Sequence, residues 1–98
     1  MSDEPRSSPT GITPPPGGFA GPVKRSVTIA GHETSISLEP VFWRALEGAA
    51  AARDLPLNAL IAQVDLARIE SDDPPNLAST IRSWLLAEAM RAGGTATR

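Results

Sequence analysis

Residues 24–37 read KRSVTIAGHETSIS and contain the chain's single lysine, its single histidine and a row of small hydroxyls. Lys24 and Arg25 are cations, Glu33 is a carboxylate, and Ser35 and Ser37 both donate and accept hydrogen bonds. These residue types suit charge and hydrogen-bond recognition of a polar partner rather than bond breaking. His32 has no catalytic companions, so it reads first as a hydrogen-bonded turn or dimer-contact residue. Asp72 and Asp73 stand before two prolines, where Asx-rich loop chemistry accounts for them better than a metal does. With one histidine and no cysteine, neither a zinc site nor a disulfide is expected. There is no Gly-rich phosphate loop and no Ser-His-Asp order, so no enzyme and no cofactor are expected.

The elements that must position these residues follow from hydrophobic periodicity. Val27 and Ile29 alternate with Ser26 and Thr28; beyond Gly31, Thr34, Ile36 and Leu38 alternate with Ser35 and Ser37. Period-two apolarity on both sides of a turn at residues 30–33 predicts a β-hairpin with one apolar face. Pro40 ends the second strand and suits the first turn of a helix. Phe42, Ala45, Leu46 and Ala49 then predict an amphipathic helix to about Arg53, with Phe42 in the core and Trp43 turned toward a dimer interface or a third helix. Asp54-Leu55-Pro56 breaks it. A second helix starts near Leu57 and buries Leu60, Ile61 and Val64, while Leu66 and Ile69 lie on another side. Asn76 is a good cap for a third helix with the stripe Leu77, Ile81, Trp84, Leu85 and Ala89, stopped at Gly93-Gly94. The fold class is mainly α with a short β-hairpin.

Residues 1–22 are rich in proline and glycine and poor in large apolar groups, so they read as a disordered tail; residues 93–98 read as a second one. Residues 23–92 form the domain. Its core is small, and a lone hairpin leaves open edges, so a homodimer is expected on stability grounds alone. No apolar run reaches the roughly 18 residues of a membrane span, and the N-terminus lacks a signal-peptide pattern, so a cytoplasmic protein without a membrane role is expected. The net charge of −2 gives no global field for nucleic acid.

Strand, helix, short turn and helix within residues 34–69 resemble the ribbon-helix-helix (MetJ/Arc-like) family. The likeness extends over about residues 23–90 to a bacterial subgroup with KRS, Gly-His, Leu-Glu-Pro, Phe-Trp and Asn-Leu elements in order, here KRSVTIAGHETSISLEPVFW and NLASTIRSWLL. The resemblance implies an intertwined homodimer whose paired strands enter the DNA major groove, as in a small transcriptional regulator. It also implies that Thr34, Ile36 and Leu38 face the helices while Glu33, Ser35 and Ser37 face base edges. The backbone N–H groups of Leu57, Asn58 and Ala59 would clamp a phosphate, with Lys24, Arg25 and His32 on adjacent phosphates. Glu33 stands where the subgroup usually has arginine, Thr28 where a basic residue is common, and Pro56 where a serine usually caps the second helix. Weak to moderate, salt-sensitive DNA binding is therefore expected. The alternative is an adaptor or antitoxin-like dimer that meets a protein partner through residues 76–92.

Overall fold

The structure is a computed structural model and describes residues 9–94. Residues 1–8 and 95–98 of the two expected tails lie outside the described residues. Strands β1 (Val23–Ile29) and β2 (His32–Leu38) form an antiparallel hairpin, followed by α1 (Pro40–Ala52), α2 (Leu57–Ile69) and α3 (Leu77–Gly94).

The hairpin turns on two residues, Ala30 and Gly31, both with positive φ, at 52° and 81°. This is the backbone of a tight primed turn, whose twist matches that of the strands it joins. The turn is shorter than the sequence suggested, and His32 and Glu33 belong to β2. The alanine carries a cost, because Cβ crowds the following carbonyl when φ is positive, by roughly 1–2 kcal/mol. Ala30→Gly removes that crowding but frees the unfolded chain. The net expectation is a gain of about 0.5–1 kcal/mol, or a thermal midpoint higher by roughly 3–6 °C. Thermal unfolding followed by circular dichroism checks this; an unchanged or lower midpoint would contradict the strain.

Pro40 occupies the first turn of α1, where its missing N–H costs nothing. The helix ends in a paired carbonyl cap: Asp54 N–H donates to Ala51 O at 3.0 Å and Leu55 N–H to Ala50 O at 2.9 Å. Asp54 takes the left-handed conformation that this cap requires, at φ 59°. Asn76 caps α3 as expected, with its side-chain oxygen accepting from Ser79 N–H at 2.8 Å. Helix α3 does not stop before the glycine pair but runs through Gly93 to Gly94. Pro56 precedes α2 without any side-chain cap.

All five elements contribute to one core. Its fully buried side chains are Leu38, Leu46, Leu60, Ile61 and Ile81. Each such side chain stabilises the fold by about 1.5–3 kcal/mol. The two adjacent aromatics of α1 exchange the roles expected of them. Trp43 is the buried one, 4% exposed, and its indole N–H donates to Val23 O at 2.9 Å. Phe42 is only half-buried and borders a groove between α1 and α3. Trp43 fits the core because the end of β1 offers its polar N–H an acceptor.

Residues 9–22 form no helix or strand. Gly18 N–H closes a turn on Pro15 O at 2.8 Å, and Arg44 of α1 donates to Pro16 O at 3.1 Å. The segment Pro15–Ala20 thus lies against Glu39, Pro40 and Val41 at the start of α1.

Candidate nucleic-acid interface

The hairpin register pairs Lys24 with Ser37, Ser26 with Ser35 and Thr28 with Glu33. Val27, Ile36 and Leu38 are buried, which makes theirs the inner face and leaves those six residues on the outer one. Five of the six are exposed and Ser37 is half-buried. Among the described residues, none of the six side chains is engaged in a hydrogen bond or ion pair within the chain. The outer face is therefore a slim polar surface: four hydroxyls between a lysine at one corner and a carboxylate at the diagonal corner.

Of the expected base contacts, Glu33, Ser35 and Ser37 all lie together on this face. The expected phosphate contacts divide. Lys24 belongs to the outer face. Arg25 is on the inner one, its guanidinium 4.3 Å from the centre of the Trp43 ring and 3.0 Å from a Glu47 oxygen. The alternation itself carried this signal, since Arg25 shares its parity with Val23, Val27 and Ile29. His32 is exposed beside the turn, paired with Ile29. With Arg25 turned inward, the outer face carries one lysine and one glutamate and no net charge.

At the start of α2, Ala59 N–H donates to Pro56 O at 3.0 Å. Among the described residues the N–H groups of Leu57 and Asn58 have no such acceptor and remain as the open amides of the helix terminus. The Asn58 side chain has a separate task that the sequence did not suggest: its Oδ1 accepts from Thr28 N–H at 3.2 Å. That bond occupies one donor on the outward edge of β1, where the outward N–H and C=O of Lys24 and Ser26 have no partner among the described residues.

The outward edge of β2 belongs to the strand that continues into α1. A two-residue turn makes Ile29 and His32 a hydrogen-bonded pair, so the backbone N–H and C=O of Glu33, Ser35 and Ser37 point away from β1. Ser37 O accepts from Arg82 of α3 at 3.4 Å. The edge at Glu33 and Ser35 has no partner among the described residues. Arg82 also donates to Glu39 at 3.0 Å and lies 5.8 Å from the centre of the Phe42 ring. A backbone hydrogen bond at its own residue, and then Arg82, hold the Glu39 carboxyl below its ordinary range. Sequence reasoning missed Arg82, because nothing local relates it to Glu39 across 43 residues.

A hairpin whose second strand has an open outward edge at Glu33 and Ser35 and leads directly into α1 and α2 defines a ribbon protein of the two-helix class. The family model for the ribbon-helix-helix domain matches residues 22–89, and the chain belongs to that family. No curated protein and no solved structure matches the chain. Members of the family are typically DNA-binding transcription regulators or antitoxins. No described helix is long and apolar enough to cross a membrane.

Proposed function

We propose that the protein acts as a homodimeric transcription regulator, binding DNA through the outer face of a sheet that two copies build together. The observation that carries this reading is the open β2 edge directly beside an unengaged polar face. Antiparallel pairing of two β2 strands about a two-fold axis at Ser35 satisfies the edge amides of both copies. It aligns Glu33 with Ser37 of the second copy. The paired strands then present Ser35 and Ser37 from both chains to a major groove, with hydroxyls small enough to approach base edges. The open amides of Leu57 and Asn58 meet flanking phosphates at the helix terminus, and Lys24 adds one cation per copy. No step calls for a cofactor, and the partners are a second copy and DNA, in keeping with a cytoplasmic location.

Charge sets the strength. Lys24 and Glu33 cancel on the outer face, so affinity is weak to moderate and falls steeply with salt. The test is titration of a pool of labelled duplexes at about 50 mM and about 200 mM salt, where electrostatic affinity changes most. Lys24→Ala is expected to weaken binding on every sequence alike and to reduce the salt slope by about 1 per copy. Glu33→Arg is expected to strengthen binding at least tenfold, since it replaces a repelled carboxylate with a cation on each copy. Absence of binding at the lower salt, even for Glu33→Arg, would overturn the proposal.

One observation favours a second reading. Leu86 and Met90 of α3 are 59% and 64% exposed, as the surface of a protein-binding adaptor or antitoxin would have them. In that case residues 76–92 meet a protein partner, and the outer sheet face is idle.

A further inference from the structure

The helical layer carries two apolar features that no described residue covers. One is a groove between α1 and α3, about 380 Å³, bordered by Val41, Phe42, Ala45, Leu86 and Ala89. Its lining mixes small side chains with large ones, as suits a groove that receives the ridge of a helix. The other is such a ridge on α2, where Leu66 and Ile69 stand three residues apart on one side, 59% and 51% exposed. With Val41, Leu86 and Met90 these account for every exposed large apolar residue of α1, α2 and α3.

We propose that the groove receives the Leu66–Ile69 ridge of a second copy, and that α3 is thereby a wall of the dimer interface. The inference rests on the two-fold reading above. The argument is one of area and continuity. A five-residue strand edge is about 17 Å long, and pairing it alone buries far less than the roughly 1,200–2,000 Å² of a stable interface. More surface must be covered, and it must adjoin the edge. Arg82 joins the two regions, since it donates to Ser37 O on the open edge and borders the groove. Under a two-fold operator each copy offers one groove and one ridge, so a single docking mode covers both features twice.

The chain has no cysteine, so introduced thiols report without background. Tagged Leu66→Cys chains are mixed with untagged Leu86→Cys chains and oxidised with glutathione disulfide, beside Ser35→Cys alone as a reporter of strand pairing. The expected result is a tagged–untagged disulfide dimer from the mixture and a Ser35→Cys homodimer. In addition, Leu66→Asp is expected to raise the dimer dissociation constant at least tenfold in sedimentation velocity while leaving the circular dichroism spectrum unchanged, because the residue is exposed in the protomer. A Ser35→Cys homodimer with no Leu66–Leu86 cross-link, and with Leu66→Asp dimerising as tightly as the parent, would overturn this inference and leave the strand pairing intact. A parent chain that is monomeric at every concentration would overturn both. Free labelling of Leu86→Cys by a polar maleimide within the intact dimer would show the groove open to another partner and would also overturn it.

Discussion

Ile81→Ala is expected to lower the free energy of unfolding by about 2–4 kcal/mol, the cost of deleting a buried aliphatic side chain and leaving a cavity. Ile81 has no exposed surface, and Leu85 beside it is 7% exposed, so α3 fills the same core as the hairpin and the first two helices. A domain of this size has only about 4–10 kcal/mol of stability in total. The variant therefore stands near the limit of folding. Two tryptophans make the measurement selective. Trp43 reports the joint between β1 and α1, and Trp84 reports α3, where the Arg53 guanidinium lies 5.1 Å from the centre of its ring. If α3 is integral, urea unfolding shows one transition, with fluorescence and helical circular dichroism coincident and both shifted. A change under about 0.5 kcal/mol, or a separate early loss of helical signal, would make α3 an appendage instead.

Ser35→Pro is expected to abolish dimerisation while leaving the protomer folded. The outward N–H at Ser35 takes no part in the intrachain ladder, so a ring there removes no bond of the hairpin. It does remove the donor at the centre of the proposed two-fold pair. Two hydrogen bonds of about 1–1.5 kcal/mol each are lost, one from each copy, which amounts to roughly a 100-fold rise in the dissociation constant before the steric clash of facing rings is added. Sedimentation velocity reads the loss, and DNA binding is expected to fall with it. A Ser35→Pro chain that still dimerises like the parent would move the interface away from β2. Ser26→Pro makes a strict comparison: it sits directly opposite on β1, on the side of the hairpin away from the proposed pairing, and is expected to preserve the dimer.

Much of this architecture can be read from the chain alone. The alternation from Val27 to Leu38 specifies a hairpin because a one-residue slip would turn every apolar side chain outward. Pro40 and Asn76 mark helix starts through local bonding that depends on no distant residue. Other features depend on what lies across the fold. Phe42 and Trp43 differ by one 100° step, and only the acceptor at Val23 O decides which of them the core takes. Arg25 was legible by parity, yet its charge argued for the surface; cation–ring stacking and Glu47 resolved the conflict in favour of the inner face. Gly93 and Gly94 are weak helix formers, but no left-handed cap forms before them, and α3 continues. The outward placement of Glu33, Ser35, Ser37 and Lys24 was legible because outward positions follow from the pleat alone. Arg82 and the Asn58 side chain were not, because both act between elements far apart in sequence.

The bond from Thr28 N–H to Asn58 bears on how many neighbours the sheet accepts. A hairpin with two open edges is divalent, and divalent units grow without limit into fibres. An amide oxygen from the start of α2 takes one donor of the β1 edge, and a strand docking there would have to displace it. A short side chain at residue 58 thus adds a cost to growth through β1 for a strand surface made mostly of serine and threonine.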